Sequence, residues 1–239
     1  MRDFEICDIH GHFLPGMDDG SASVAESLQM LEMAASQGIS CMCATPHYYP
    51  VETVDEFLAR RDESFRQLTQ AMAVSGKKFP RICLGAEVAY RQGIGNAENL
   101  EKLCFGNSGY LLLELPFTPW KQSMFRDISS MSNVHGLIPI IAHVERYIPL
   151  QSRKNLQKLL EQDVVFQMNA EHLLHWSTRG KAKNLIRNGV VHLLGSDCHN
   201  LTTRKPNLGA ALDRLQKSKL GVAVYQAAQF SMEIFEQTQ

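Results

Sequence analysis

The chain has 239 residues and a net charge of −1; 44% of its residues are hydrophobic and 21% are charged, which suits one globular enzyme-sized domain spanning residues 1–239. The balanced charge, without a basic block or an acidic tail, argues against a nucleic-acid or membrane-surface partner. The N-terminus is too polar for a signal peptide and no apolar run approaches the roughly 18 residues of a membrane span, so we expect a cytoplasmic protein without membrane insertion.

Seven short apolar runs, separated by amphipathic segments, are predicted strands. They cover residues 4–9, 39–44, 81–86, 110–115, 137–142, 164–169 and 190–195. The first two helices are predicted from the capping-box patterns Ser23-x-x-Glu26 and Thr53-x-x-Glu56, and glycines supply their ends at positions 38 and 76. Strands that are apolar on both faces and alternate with helices indicate a parallel sheet covered by helices, either open or closed into a barrel.

Polar residues end or follow each of these strands. In chain order they are His10, His12, His47, Glu87, Glu114, His143, Asn169, Asp197 and His199. The C-terminal ends of all strands meet on one face of a barrel. An open sheet would spread seven ends over about 30 Å, at ~4.8 Å per strand. The distribution therefore favours a closed barrel in which these side chains converge.

This convergence predicts a metal centre. His10 and His12, two residues apart on an extended chain, point to the same side and suit one ion. Taken singly, each residue is also explained as a core histidine or a salt-bridged carboxylate. Their joint occurrence is not, and mixed imidazoles and carboxylates suit Mn, Fe or Zn. The ligands exceed the needs of one ion, so we expect two or three bridged ions, with Asp18 or Asp19 as a further ligand or a helix N-cap.

Such a centre is typical of hydrolases, because clustered divalent ions deprotonate a bridging water and neutralise charge on phosphoryl oxygens. A phosphate ester is therefore the leading substrate class. Arg146, three residues after His143, and Arg204, five after His199, are expected to bind the phosphate, with ordinary surface arginine as the alternative. If the leaving group needs a proton, His199 or a metal-bound water is the candidate donor.

The other four histidines are interpreted as structural. His172 and His175 lie three residues apart on a predicted helical turn, His192 is inside the seventh strand, and His135 is in a loop.

Cysteine chemistry is a competing interpretation of the stretch LGSDCHNLTTR. Cys198 and Arg204 are separated by five residues, as in a Cys-based phosphatase loop. That loop needs glycines around the phosphate and a helix N-terminus that lowers the thiol pKa, whereas CHNLTTR has no glycine. Strand alternation also points Cys198 away from the neighbouring ligands. We therefore predict that none of the six cysteines is a nucleophile, and that they are buried free thiols of a reducing compartment.

The motifs DIHGHFLPGMDDG, ATPHYY, GAEV, LLLELP, IAHVERY and GSDCHN, in this order and spacing, resemble the PHP superfamily. More narrowly, the chain resembles the CpsB/CapC/YwqE-type bacterial tyrosine phosphatases from Asp8 to about Leu208. The resemblance implies a single-domain, distorted (β/α)7 TIM-like barrel with a trinuclear Mn²⁺ site at the C-terminal ends of the strands. It also implies dephosphorylation of a bacterial tyrosine kinase that regulates capsule or exopolysaccharide synthesis.

The resemblance further implies a ligand set, and all nine positions hold the expected residue type. These are His10, His12, Asp19, His47, Glu87, Glu114, His143, Asp197 and His199. In the family pattern the first ion is held by His10, His12, Glu87 and Asp197. Glu87 bridges to the second ion, held by Glu114 and His143, and the third is held by Asp19, His47 and His199.

The phosphate-binding arginines of the family correspond to Arg146 and Arg204. The chain departs from the family pattern at His172 and His175 and in its long final segment. The predicted reaction is attack of a bridging hydroxide on the phosphorus of phosphotyrosine, whose phenol, with a pKa of about 10, leaves more readily than an alkyl alcohol. Two other interpretations stay open: a histidinol-phosphatase-like enzyme acting on a small alkyl phosphate, and a catalytically idle PHP domain that acts as a binding module.

Overall fold

The computed structural model describes residues 4–216 and 218–238, and within them short strands alternate with helices. The strands are β1 (Cys7–Gly11), β2 (Cys41–Ala44), β3 (His47–Tyr48), β4 (Arg81–Leu84), β5 (Glu87–Ala89), β6 (Tyr110–Glu114), β7 (Ile138–Ile141), β8 (Val165–Asn169) and β9 (Leu193–Gly195). The helices are α1 (Val24–Ser36), α2 (Val54–Ser75), α3 (Gln122–His135), α4 (Arg153–Leu160), α5 (Glu171–Leu174), α6 (Trp176–Arg187), α7 (Leu208–Gln216) and α8 (Gly221–Glu236).

Both predicted helix starts are confirmed. The Ser23 side chain accepts from the Glu26 amide at the start of α1, and Thr53 and Glu56 form a complete capping box at α2. Each such cap contributes about 1 kcal/mol, because it satisfies amides that have no partner within the helix. Helix α2 ends at Gly76, whose φ of 66° lies in the left-handed region that glycine adopts without strain.

All paired strands run parallel, which confirms the predicted α/β class. β1, β2 and β4 form one sheet, and β3, β5, β6, β7, β8 and β9 form a second sheet in that order. The two sheets are continuous along the chain, since β3 follows β2 after residues 45–46 and β5 follows β4 after residues 85–86. Together they curl into a half-barrel whose strands carry the polar residues at their C-terminal ends.

Every predicted run overlaps a strand, although β1 continues past its run to Gly11, and two further strands, β3 and β5, lie outside the apolar runs. His47 in β3 pairs in register with Glu87 in β5. Neither segment is apolar enough to be predicted as a strand, because each begins with a polar residue that faces the candidate site. The pairing places these two side chains next to each other.

Backbone hydrogen bonds join β1 to the segment that follows β9. The Asp197 amide donates to the His10 carbonyl and the His12 amide donates to the Cys198 carbonyl, each at 2.8 Å. Gly195 allows this approach, since a Cβ atom there would lie 2.8 Å from the Cβ of His10. The first and last predicted ligand pairs therefore lie side by side.

The interior is packed with apolar side chains and with thiols. All six cysteines, which fall within the described residues, are buried and free, as predicted. The final helix contributes Ile234 and Phe235 to a core cluster with Cys7 and Ile9 of β1. Among residues 4–216 and 218–238, no helix is both long and apolar enough to cross a membrane.

Candidate metal centre

The structure brings all nine predicted ligands together. Six lie at or just after the C-terminal ends of strands, His47 and Glu87 begin β3 and β5, and Asp19 lies in the loop before α1. Three groups have ligand atoms within 4.8 Å of one another: His12, Asp19, His47 and His199; His10, His12, Glu87 and Asp197; and His47, Glu87 and Glu114. The ninth residue, His143, joins them through its Nε2 atom, which lies 3.0 Å from Glu87 Oε1 and 3.4 Å from Glu114 Oε1.

Glu87 lies at the middle of this cluster. Its Oε2 atom is 3.2 Å from His10 Nε2, 3.1 Å from His12 Nε2 and 3.2 Å from His47 Nδ1. Burial alone would raise the pKa of this carboxyl, but the charge of His10 and hydrogen bonds from His10, His12 and His143 hold it well below its usual value. An ionised, buried carboxylate in contact with four imidazoles is suited to bridge cations.

Three of the histidines have Nδ1 next to an acceptor oxygen, which would leave Nε2 to bind an ion at the centre. The acceptors are Gln167 Oε1 for His10 at 3.3 Å, Asp18 Oδ2 for His12 at 2.7 Å, and the Asp197 carbonyl for His199 at 3.0 Å. In metal-binding histidines, one ring nitrogen binds the ion and the other usually donates its proton to an oxygen in the same way.

The unsatisfied atoms of the cluster fit a bound cation. Nε2 of His10 and Nε2 of His12 lie 3.2 Å apart, and both face Oε2 of Glu87. Nδ1 of His47 and Nε2 of His199 are buried and have no hydrogen-bond partner among the described residues. Buried polar atoms without a partner are costly, and divalent ions between these nitrogens and the carboxylates would satisfy them.

The pKa values of two histidines in the cluster are shifted in opposite directions. Burial would lower the pKa of His12, but its bonds to Asp18 and Glu87 outweigh this effect and raise the pKa to about 10. Burial, with a contribution from the neighbouring His12, lowers the pKa of His199 to about 4, so this ring is neutral near pH 7. A neutral imidazole is the form that binds a metal ion.

The loop before α1 separates the roles of its two aspartates. Besides binding His12, Asp18 accepts from the amides of His47 and Gly20 at 2.8 and 2.9 Å. Asp19 is 65% exposed, and its Oδ1 atom lies 3.6 Å from His47 Nε2 and 3.4 Å from His199 Nε2. Asp18 therefore supports the site, whereas Asp19 faces it. Neither caps α1, whose N-cap is Ser23.

A chain of amides supports the opposite side of the centre. Gln167 Oε1 accepts from the His143 amide at 2.7 Å, and its Nε2 donates to Asn169 Oδ1 at 3.0 Å. Asn169 Nδ2 in turn donates to Asp197 Oδ2 at 2.7 Å. Sequence reasoning missed Gln167; its signal is a polar amide inside the apolar run VVFQMN, where burial demands partners.

Two of the predicted ligands have left-handed backbones. φ is 33° at His143 and 54° at Asp197, a region that residues other than glycine adopt at a cost of about 1–3 kcal/mol each. The turns bend the chain after β7 and β9, so that both side chains point into the centre.

Both predicted phosphate-binding arginines line one cleft beside the centre, with a volume of about 280 Å³. Arg204 donates through Nη2 to Asp197 Oδ1 at 2.8 Å. The guanidinium of Arg146 lies 4.6 Å from the ring centroid of Phe117, which orients this exposed side chain by a cation–π contact. Sequence reasoning did not identify Phe117, because its contact with Arg146 joins two loops that are distant in the chain.

Cys198 has no access to this cleft, since its side chain is fully buried. Its sulfur faces Gly11 across the junction of β1 with the last ligand segment. Burial, with a contribution from the charge of Asp8, raises the pKa of the thiol well above its usual value. A thiol of this kind is not a nucleophile.

A family model and two named relatives match most of this chain. Residues 6–231 match the family model for capsular polysaccharide synthesis, CpsB/CapC. The tyrosine-protein phosphatase CpsB of Streptococcus agalactiae is 27% identical over 221 residues, covering 86% of this chain and 88% of the relative. The tyrosine-protein phosphatase YwqE of Bacillus subtilis is 29% identical over 220 residues, covering 89% and 84%.

Solved structures share the fold. One of a pair described as YwqE from Bacillus subtilis and CpsB from Streptococcus pneumoniae, unique metal-dependent tyrosine phosphatases, superposes with a TM-score of 0.78 at 24% identity. That match covers 98% of this chain and 96% of the other. A dihydropyrimidinase from Brevibacillus agri superposes with a TM-score of 0.56 at 10% identity, covering 93% and 68%. Since the family model spans nearly the whole sequence, the chain belongs to the CpsB/CapC family of capsular polysaccharide synthesis.

Proposed function

We propose that this chain is a metal-dependent phosphatase that hydrolyses phosphotyrosine in a protein substrate. The observation that carries this proposal is the position of Glu87, whose carboxylate belongs to two of the three ligand groups and shares one of them with Asp197, a residue that lines the cleft of Arg146 and Arg204. The relatives named as tyrosine-protein phosphatases support the same reaction.

The proposed centre holds two or three Mn²⁺ ions, with Fe or Zn as the alternatives. Its ligands are His10, His12, Asp19, His47, Glu87, Glu114, His143, Asp197 and His199. Bound divalent ions supply Lewis acidity, which lowers the pKa of water and offsets charge on the phosphoryl oxygens. The mixture of imidazole and carboxylate donors supports a borderline divalent ion rather than Ca²⁺ or Mg²⁺.

The arginines bind and orient the phosphate in this proposal. Arg204 donates through Nη2 to Asp197, and its Nη1 lies 3.7 Å from Asp19 Oδ2, so two proposed ligands hold the guanidinium while its other N–H groups are available for phosphoryl oxygens. Arg146, oriented by Phe117, lines the same cleft. Both charges then offset the negative charge that develops as the tyrosyl oxygen leaves.

We further propose that the substrate is the phosphorylated tail of a bacterial tyrosine kinase that regulates capsule or exopolysaccharide synthesis. The family description supports this process. Residues 1–239 are proposed to form one domain, closed as a (β/α)7 barrel, and to act in the cytoplasm. The backbone bonds between β1 and the segment after β9 support closure, and six free thiols suit a reducing compartment.

Metal depletion and add-back test the proposal, with a phosphotyrosyl peptide and histidinol phosphate assayed side by side. We expect chelation to abolish hydrolysis of the peptide and Mn²⁺ to restore it. Activity that survives thorough chelation would contradict the metal mechanism, and faster turnover of histidinol phosphate would contradict the substrate class. A metal-loaded protein that hydrolyses no aryl phosphate would support the binding-module alternative.

A further inference from the structure

The cleft of Arg146 and Arg204 contains polar atoms that the proposed function does not use. Oδ1 of Asn207, a residue that lines the cleft together with His172, is buried without a hydrogen-bond partner among the described residues. The same holds for Oε2 of Glu145, directly behind His172. Buried polar atoms in folded proteins nearly always have partners, so the atom of Asn207 in the cleft and that of Glu145 next to His172 indicate a ligand-binding surface.

His172 is held at this cleft by two elements of the candidate centre. It lies in α5, which follows the end of β8, where Asn169 binds the predicted ligand Asp197. Its Nδ1 atom lies 3.3 Å from Oε1 of Glu145, whose side chain is only 4% exposed. Glu145 Oε1 also accepts from the Asn169 amide at 3.3 Å, which ties the pair to the strand end. Glu145 therefore contacts the imidazole ring at Nδ1, and the His172 side chain also lines the cleft.

We propose that His172 is a catalytic residue that protonates the leaving tyrosyl oxygen, and that Glu145 is a positioning residue that holds its Nδ1. This inference rests on the proposed function. The oxygen of a water molecule forms a bond to phosphorus, and the bond from phosphorus to the tyrosyl oxygen breaks, with its electron pair going to that oxygen. The Nε2 proton of His172 transfers to the same oxygen, leaving tyrosine, inorganic phosphate and a neutral ring that regains its proton from water.

His199, the donor expected from the sequence, is less suited to this step. Its Nδ1 donates to the Asp197 carbonyl and its Nε2 belongs to a ligand group, so it has no proton directed at the cleft. The geometry thus favours His199 as a ligand. It also gives His172 a role other than the structural one that the sequence predicts.

Charged groups around His172 affect the pKa of its ring. Burial lowers its pKa; Glu171 opposes this effect, while Arg146, His175 and His143 add to it. Glu145 faces the ring from the other side. A phosphate dianion bound between the arginines would raise the pKa of His172, so the ring gains its proton when the substrate arrives.

Leaving-group dependence tests the proposal. In the Mn²⁺-loaded enzyme, His172→Gln and His172→Ala should lower kcat/KM for phenyl phosphate about 100-fold. For para-nitrophenyl phosphate, whose leaving group is far less basic, the loss should be below about tenfold, because this phenolate leaves without a proton. The matched control is His175→Ala, a histidine that is 62% exposed and paired with Glu171, which should change neither rate.

A second measurement does not depend on turnover. The pKa of His172, followed by NMR in the wild-type protein, should rise when inorganic phosphate is added, and the pKa of His175 should change much less. Equal losses on both esters, or no loss on phenyl phosphate, would overturn the proposal, as would a His172 pKa that ignores phosphate. A wild-type protein that hydrolyses neither ester would instead contradict the proposed function.

Discussion

Asp18 shows how one residue outside the predicted ligand set shapes the candidate centre. Its carboxylate fixes the His12 ring and also holds the His47 backbone. Asp18→Asn keeps one side-chain oxygen as an acceptor and replaces the other with an NH2 donor. The single oxygen cannot accept from the His12 ring and from both backbone amides. We expect the affinity for Mn²⁺ to fall about 10–100-fold, measured by isothermal titration of Mn²⁺ into the metal-depleted protein. Asp55→Asn, at an exposed position, is the control; equal affinities for the two variants would contradict this role.

Substitutions at the last ligand pair separate the metal and thiol mechanisms. Cys198→Ser should retain most of the wild-type kcat, because this buried sulfur contacts no cleft residue that binds phosphate. Asp197→Ala and His199→Ala should lower kcat more than about 100-fold, since each removes a proposed ligand. The measurement is hydrolysis of a phosphotyrosyl peptide at saturating Mn²⁺. The opposite ranking would restore the cysteine as the nucleophile.

At the residue scale, the sequence reveals what lies at strand ends and misses what supports it. His10, His47 and Glu87 could be identified because each ends or follows an apolar run. Gln167 and Glu145 could not, since their roles depend on contacts with residues 24 positions away, at His143 and Asn169. Gln167 gives a local signal, as a polar residue inside an apolar run, but the run does not show which residues it contacts; Glu145 gives no such signal.

Two glycines in different elements test how tightly the loop before α1 is built. A Cβ atom at Gly20 would lie 2.1 Å from the His12 carbonyl, whereas one at Gly180, in α6, meets no heavy atom within 4 Å among those described. Gly20→Ala should lower the free energy of unfolding by about 1–3 kcal/mol through backbone displacement. Gly180→Ala should raise it by about 0.5–1 kcal/mol through helix propensity. Urea denaturation measures the free energy of unfolding of both variants. Similar changes in the two would show that the loop before α1 is not tightly packed at Gly20.

At the element scale, capping signals predicted α1 and α2 because those contacts are local. The short strands β3 and β5 were not predicted, since a two- or three-residue strand exists only through its neighbour in the sheet. The four-residue helix α5, which carries His172, is likewise too short for its sequence pattern to fix its surroundings.

For the whole molecule, the unsatisfied centre makes stability depend on metal. Ions that bind the folded chain alone should stabilise it by about 2.7 kcal/mol at a concentration 100 times the Kd. We expect the Tm of the chelated protein to rise steadily with added Mn²⁺, measured by calorimetry. In Glu87→Gln, which loses the shared carboxylate, the rise should be much smaller. A wild-type Tm that is insensitive to Mn²⁺ would contradict the proposed centre.

The overall class was predictable because strands that are apolar on both faces require cover on both sides. Closure was inferred from the ring of polar strand ends, and the bonds of Asp197 and Cys198 to β1 agree with it. The division into two sheets was not predictable, since it arises from two-residue interruptions after β2, at residues 45–46, and after β4, at residues 85–86.

The burial of all six thiols has a practical consequence for handling this protein. A phosphatase whose mechanism uses a thiolate is inactivated by iodoacetamide and by mild oxidants, because its sulfur is ionised and accessible. Here all six cysteine sulfurs are buried in the interior formed by the described residues. The folded protein should keep its activity during alkylation and incorporate label only after denaturation, as mass spectrometry would show. Resistance to thiol reagents would then distinguish its activity from that of cysteine-dependent phosphatases in a mixed extract.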